Sequence, residues 1–366
     1  MADTSVSYTC PSCSAPLSFT PGKSKIVCEY CDCEFEVSVL DQLYEKKQEQ
    51  AADAAAAKEA QWKTDEAGSE WSEEEAAMLK AYCCSSCGAE IVCDENTMAT
   101  ECCYCGNPTM LPSRFTGMLK PDYVIPFELT KKDAVEALKK FYEGKRLLPD
   151  NFTANNRIED IQAMYVPFWL FNSAVTGHGL YDCTDVDVYS TRDERITTTR
   201  HYKCSRSGSM SFTNIPVDGS VKMDDAYMET IEPFDYSKMV PFSTAYLSGF
   251  LADKYDVDAE AAVERADKRV TSSVEGCLAQ TIAHDTVSAD SVSIVKDEGD
   301  VSYALVPVWI LSTKYEDKPY TFMMNGQTGR FAGSLPIDYG KLRNYTIMSF
   351  IPLAIIGYFV AKLFDL

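Results

Sequence analysis

Three stretches of the 366-residue chain are apolar almost without a break: Met164–Phe171, Tyr303–Leu311 and Asn344–Phe364. Met164-Tyr-Val-Pro-Phe-Trp-Leu-Phe171 is too apolar for a strand with one wet face and predicts a buried strand. Asn344 to Ala361 carries no charge, and Leu363 and Phe364 extend it past a snorkelling Lys362. About 20 residues make roughly 30 Å of helix, enough to cross a hydrocarbon core. A buried amphipathic core helix would show a polar face, and this segment has none. Lys341 and Arg343 precede it and favour a cytosolic N-terminal side. Tyr345 and Tyr358 suit the interfaces, and lipid tolerates the kink expected at Pro352. Residues 344–364 therefore predict a single transmembrane helix acting as a tail anchor, with the bulk of the chain in the cytoplasm.

Elsewhere the pattern alternates between helical and extended periods. Thr130 with Asp133 predicts a capping box, followed by a face of Val135, Leu138, Phe141 and Tyr142, with Gly144 as the stop. Asp258 opens a second helix with Val263, Ala266, Val270, Val274 and Cys277 near helical spacing. Val166-Pro-Phe-Trp169 aligns with Val306-Pro-Val-Trp309, so a helix and a Val-Pro-x-Trp strand occur twice. Each proline removes a ladder donor and is expected at a strand edge, start or bulge. Antiparallel strands are expected at 173–181, 196–202 and 209–212, and a hairpin around Asn325-Gly-Gln-Thr-Gly329. Pro216-Val-Asp-Gly219 and Met223-Asp-Asp225 read as turns.

Residues 40–80 are rich in Ala, Glu, Lys and Gln and predict a solvated helical spacer to about Lys63. Gly68 breaks it, and Ser72 with Glu75 predicts a capping box opening a short helix. Trp62 and Trp71 are large apolar residues in a polar stretch and are candidates for docking the spacer on a neighbour or a partner.

Fifteen cysteines change the picture. The first cluster is Cys10-Pro-Ser-Cys13 and Cys28-Glu-Tyr-Cys31; the second is Cys84-Ser-Ser-Cys87 and Cys102-Cys-Tyr-Cys105. The same spacing twice predicts two zinc ribbons, each holding one structural Zn2+ ion, two per chain. Short strands are expected between the knuckles, at Leu17–Phe19 and Ile26-Val27, then at Ile91-Val92 and Met98–Thr100. Gly88 and Gly106 sit where the backbone turns under the metal. Four thiolates close a site, which excludes a catalytic zinc there, and redox chemistry uses one pair beside a helix. Cys33, Cys83, Cys93 and Cys103 fall outside the repeat, although Cys83 and Cys103 adjoin ligands and stay open as substitutes. A chelator is expected to unfold both ribbons and spare the central domain. The N-terminus lacks a basic and apolar leader, so a cytosolic, reduced body is expected rather than a secreted disulfide scaffold.

Net charge is −21, and no Lys or Arg lies between Cys83 and Pro112. That argues against nucleic acid, the usual partner by ribbon analogy. No phosphate loop, nucleophile elbow or HExxH motif occurs. His178, His201 and His284 are isolated in sequence, and Cys183, Cys204 and Cys277 have no nearby partner and read as small core residues. No enzyme is expected.

Taken together, Cys10–Cys13, Gly68-Ser-Glu-Trp71, Cys84–Gly88, Cys102–Pro108, Lys120-Pro-Asp-Tyr-Val-Ile-Pro-Phe127, Tyr165–Phe171, Pro216–Gly219, Met223–Asp225, Ile231-Glu-Pro-Phe-Asp235 and Met324–Gly329 carry a resemblance. The chain resembles the bacterial TFIIB-type zinc-ribbon membrane proteins, some of which bear a replication-restart-helicase-like label. The resemblance covers nearly the whole chain. It implies a membrane adaptor for protein partners of the flotillin-like or phage-shock type, in envelope stress. The chain departs at Cys103, where relatives tend to have proline. The expected fold class is α+β: zinc ribbon 1 (1–39), helical acidic spacer (40–80), zinc ribbon 2 (81–112), a duplicated α+β domain with antiparallel strands (120–340), and a transmembrane helix (344–364). The alternative function is a nucleic-acid-binding replication or transcription factor.

Overall fold

The computed structural model describes residues 10–11, 17, 25–31, 33–40, 42–43, 45–46, 62–99, 101–113, 115, 117–155, 158–191, 194–316 and 318–363. Cys13, most of the expected 40–63 helix and the expected strand over Leu17–Phe19 lie outside them, apart from Leu17, the helical residues 40, 42–43 and 45–46, and Trp62–Lys63, which form a short strand where the sequence expects the helix to end.

In chain order the strands are β1 (Lys25–Val27), β2 (Glu34–Glu36), β3 (Trp62–Lys63), β4 (Leu79–Cys84), β5 (Glu90–Asp94), β6 (Met110–Ser113), β7 (Tyr123–Val124), β8 (Gln162–Ser190), β9 (Arg195–Asp218), β10 (Val240–Pro241), β11 (Leu251–Asp253), β12 (Thr286–Lys296), β13 (Gly299–Tyr315), β14 (Lys318–Asn325) and β15 (Phe331–Gly333). The α-helices are α1 (Glu73–Ala77), α2 (Lys131–Tyr142), α3 (Asp150–Asn155), α4 (Asp225–Ile231), α5 (Ala259–Ala279) and α6 (Tyr339–Leu363). The chain is a mixed α+β protein that divides into two compact units.

The first unit comprises Met1–Lys63, Phe171–Ile215 and Val263–Val301. Its strands from β8, β9 and β12 merge what the sequence divides into shorter pieces: burial alternates with period 2 from Phe171 to Gly179 and breaks at Leu180, opposite the irregularity between Ala289 and Ser291 of β12. Ala266, Val270, Val274 and Leu278 of α5 are buried. Cys277, expected on that face, is exposed. Gly177 of β8 lies against Val274, where an added Cβ would stand 2.3 Å from Val274 Cγ1. Trp62 docks on its own chain: its indole N–H donates to Asp267 at 2.9 Å, its ring meets Phe171 edge-on, and the Lys296 ammonium sits 4.4 Å from the ring centroid.

The second unit comprises Thr64–Leu170, Pro216–Ala262 and Ser302–Leu366. Its sheet runs β10-β7-β13-β8-β11-β5-β4-β6, with β14 beside β13 and β15 beside β14. Both expected capping boxes form: Ser72 with Glu75 opens α1, and Thr130 with Asp133 opens α2. Gly144 ends α2's segment at φ +72. The hairpin around residues 325–329 is β14–β15. Trp71 stacks edge-on against Phe115 and Phe242.

The Val-Pro-x-Trp strands occupy matching environments. Trp169 donates to the carbonyl of Val257, and Trp309 to that of Leu129, each just before a helix. Gly219 N–H donates to Pro167, and Gly326 N–H to Pro307. The Gly219 carbonyl accepts from Asp256 and Val257, and that of Gly326 from Glu128 and Leu129. One set of hydrogen bonds thus occurs twice. The prolines are not at edges, starts or bulges, as expected, but inside central strands. They fit because the ladder has gaps there. On β13, β7 pairs up to Leu305 and β14 takes over at Val308, leaving Pro307 between them. On β8, β11 pairs only Met164 and Tyr165.

This close approach predicts a cost for one extra methyl. A Cβ on Gly326 would lie 2.7 Å from Phe127 Cδ1 and 2.8 Å from Pro307 Cβ. Gly326→Ala is expected to destabilise the fold by about 1–3 kcal/mol, by overpacking. Urea unfolding checks this, and an unchanged midpoint would show that Phe127 yields freely.

α6 lies where the sequence expects a C-terminal helix, and every described residue from Leu342 to Ala354 is exposed. Met348, Phe350 and Leu353 are 65–70% exposed, so this part of the helix is no buried core element. Among the described residues, no helix is long and apolar enough to cross a membrane. The apolar run that the described side chains make up is short: Lys341, Arg343 and Asn344 precede it, and the side chains of 355–361 lie outside the description.

Candidate metal centres

The second cysteine cluster is built on the hairpin β4–β5 and the segment leading to β6. β4 ends on Cys84, its turn carries Cys87, and Cys102 and Cys105 come round just before β6, which returns along β4. The two turns are copies. Gly88 N–H donates to Cys84 O, and Gly106 N–H to Cys102 O, both at 2.9 Å. Both glycines have positive φ, +72 and +65, which a side chain would strain. Strands therefore flank the knuckles; the expected strand at Met98–Thr100 does not form among the described residues, where 95–99 is turn and loop.

Cys84 Sγ is 3.7 Å from Cys105 Sγ, and Cys87 Sγ is 3.6 Å from Cys102 Sγ; all four sulfurs lie within 4.8 Å of one another. A zinc–sulfur bond of about 2.3 Å places tetrahedral sulfurs about 3.8 Å apart, so the four cysteines fit one tetrahedral ion. Burial pushes the Cys84 thiol up, but the N–H groups of Cys87 and Ser86 and the thiols of Cys87 and Cys105 outweigh it and bring it down to about 6. Burial raises Cys87 and Cys102. A bound cation supplies the charge that would let all four ionise.

The first cluster brings Cys10, Cys28 and Cys31 within 4.8 Å, with Cys10 Sγ 3.6 Å from Cys31 Sγ. β1 and β2 form the hairpin that carries Cys28 and Cys31, closed by Cys28 N–H to Cys33 O at 2.9 Å. The fourth expected ligand, Cys13, lies outside the described residues. Both clusters can hold a metal ion.

The cysteines outside the repeat point elsewhere. Cys83 contacts the Cys84 carbonyl, and Cys93 donates to Thr97 O at 3.1 Å. Cys103 is buried against Met164 Sδ at 3.4 Å. Sequence reasoning missed one gathering: Cys183, Cys204 and His284, read as isolated, each place a ligand atom within 4.8 Å of the others. Their separation along the chain hides it, and only strand pairing reveals it.

Asp253 of β11 is 1% exposed and pairs by backbone with Ile91 of β5. Burial pushes its carboxyl up to about 7, although the Ser220 and Tyr104 hydroxyls and Lys222 pull it down. In the unfolded chain it ionises near pH 4. Between those values the folded state holds the extra proton, so this group's contribution to stability falls as pH rises, by up to about 1.4 kcal/mol per pH unit. Asp253→Asn is expected to gain on the wild type from pH 4 to pH 7. Urea unfolding across that range measures the difference; a constant gap would mean the carboxyl ionises normally.

Comparison with known proteins finds 35% identity over 234 residues to the uncharacterized protein YdjG of Bacillus subtilis (strain 168), covering 64% of this chain and 69% of that relative. The chain belongs to the family of that protein. No protein-family model matches it. No solved structure matches it.

Proposed function

We propose that this member of the YdjG family is a membrane-anchored zinc-ribbon adaptor. Its body lies on the cytoplasmic side, two structural zinc ions hold its knuckles, and residues 344–364 seat it in the bilayer, where it recruits protein partners. One observation carries the reading: from Tyr345 to Ala354 α6 carries no charge, and every one of those residues is exposed. An exposed apolar surface of that kind calls for lipid or a partner. The uncharged run from Asn344 to Ala361 supports lipid.

Cys84, Cys87, Cys102 and Cys105 would hold one ion, and Cys10, Cys13, Cys28 and Cys31 the other. Four sulfurs leave no open position, so the ion serves as a crosslink in place of a hydrophobic core. The second knuckle pair presents Asp94, Glu95 and Glu101 with no Lys or Arg between Cys83 and Pro112, which favours protein over nucleic-acid partners. The partner class implied by the family resemblance is flotillin-like or phage-shock-type membrane proteins.

Affinity capture of the full-length chain from detergent-solubilised, nuclease-treated membranes tests this. A defined set of membrane-associated proteins is expected. Recovery in the soluble fraction with replication proteins or nucleic acid would replace the adaptor with the nucleic-acid reading.

A further inference from the structure

β8 and β12 run antiparallel in a register that pairs Cys183 with Val287 and Thr184 with Thr286. The residues entering β12 therefore come alongside those leaving Cys183. Asp185 accepts from His284 Nδ1 at 2.9 and 3.1 Å and from the Asp285 N–H at 3.2 Å, while the Asp285 carboxylate accepts from Val186 N–H at 2.7 Å. Tyr202 stacks on the imidazole at 4.6 Å, with the ring planes 20° apart. The ring is thus fixed at one nitrogen by a carboxylate and on one face by an aromatic. A histidine tied at Nδ1 to a carboxylate keeps its proton there and presents the Nε2 lone pair, the arrangement that metal-binding histidines use. β9 pairs with β8 and brings in Cys204.

We infer that Cys183, Cys204 and His284 form a third metal site, which takes a soft divalent ion of the zinc class and leaves one coordination position open. One donor atom of each lies within 4.8 Å of the other two. Bonds of about 2.3 Å to sulfur and 2.0–2.1 Å to nitrogen place such donors roughly 3.5–3.8 Å apart, a small contraction. Two thiolates with an imidazole select zinc-like ions over magnesium or calcium. Cys183 is buried, while Cys204 and the imidazole are half-buried, so the site is reachable from one side. The second knuckle pair gathers four sulfurs; a three-ligand site stays open to water or an outside ligand, and its ion exchanges faster. A cross-strand disulfide would use the two sulfurs but give no role to an imidazole oriented by Asp185.

The test titrates the reduced, full-length chain, dialysed until two zinc ions per chain remain, with cobalt(II). One further equivalent is expected, with a thiolate-to-cobalt charge-transfer band. His284→Ala should weaken binding at least tenfold, and Cys204→Ser should abolish the band while zinc content stays at two. Asp185→Asn is expected to weaken cobalt binding by about 10–100-fold with an unchanged circular dichroism spectrum, because it orients a ligand without touching the ion. Absence of the band in the wild type, equal affinity in Cys204→Ser, or a Cys183–Cys204 disulfide in the freshly isolated chain would overturn the site. Fewer than two zinc ions in the wild type would instead strike the knuckle reading, so the two failures are distinguishable.

Discussion

Cys102→Ser is expected to lose one metal ion per chain and to raise backbone hydrogen exchange along β4 and β5 at least a hundredfold, about 2.8 kcal/mol of lost protection. The apolar cluster beneath this site is small, consisting of Cys84, Ala89 and Cys102 with parts of Tyr104, Cys105 and Met110. Tyr82, Ile91 and Cys93 anchor the far end of the hairpin in the large core cluster, so the loss should be steepest at the knuckle end, where the bound ion is the expected crosslink; its apparent contribution in small zinc domains is about 10–16 kcal/mol. The damage should not stop at the knuckle. β5 pairs with β11 through Val92–Ala252 and Ile91–Asp253, and β11 pairs with β8 through Leu251–Met164 and Ala252–Tyr165. Protection at Ala252 should therefore fall as well. The sequence alone expects a chelator to spare the central domain; the pairing of β5 with β11 revises that for the second ribbon. β1 and β2 have no third strand among the described residues, so Cys28→Ser should act locally. Hydrogen exchange read by mass spectrometry, with metal analysis of the same samples, measures both. If Cys102→Ser kept two ions, or β5 exchanged as in the wild type, the metal would not be what holds this hairpin.

Phe350→Lys combined with Leu353→Lys is expected to move the chain from the membrane to the soluble fraction. A lysine near the centre of an inserted helix costs about 2.5–3.5 kcal/mol, so the pair costs about 5–7 kcal/mol. Both residues are exposed, so the body should keep its melting temperature. Truncation is a less clean test if it begins at Lys341, whose ammonium donates to Leu148 O and pairs with Asp150, both at 2.7 Å. Ending the chain after Asn344 keeps those contacts. Carbonate-resistant membrane association of the double-lysine chain would exclude α6 as the anchor.

Much of this protein is legible in its sequence because it depends on short-range chemistry. The two CxxC pairs in each cluster, Gly88 and Gly106 under the second set, and the capping boxes at Ser72 and Thr130 involve neighbours along the chain, and local spacing fixes them. The repeated Val-Pro-x-Trp is readable for the same reason. Its consequence, the paired bonds from Trp169 to Val257 and from Trp309 to Leu129, needed the fold.

What failed in the sequence reading failed at long range. The placement of Pro167 and Pro307 was misjudged because a donor's absence is harmless wherever a partner strand ends, and strand ends on neighbours are set by the sheet. Trp62 found its partner, Asp267, only through folding. Asp253 follows Leu251-Ala252 like any strand-end acid, yet the sheet buries it and shifts its proton. Sequence by itself determined the capping boxes, the spacing of the cysteine pairs and the uncharged tail, since each rests on periodicity or spacing within a few turns of chain. Only the tertiary structure decided that the second ribbon is stitched into the large sheet and that Cys183, Cys204 and His284 meet, because strand register, a property of distant backbone groups, brings those atoms together.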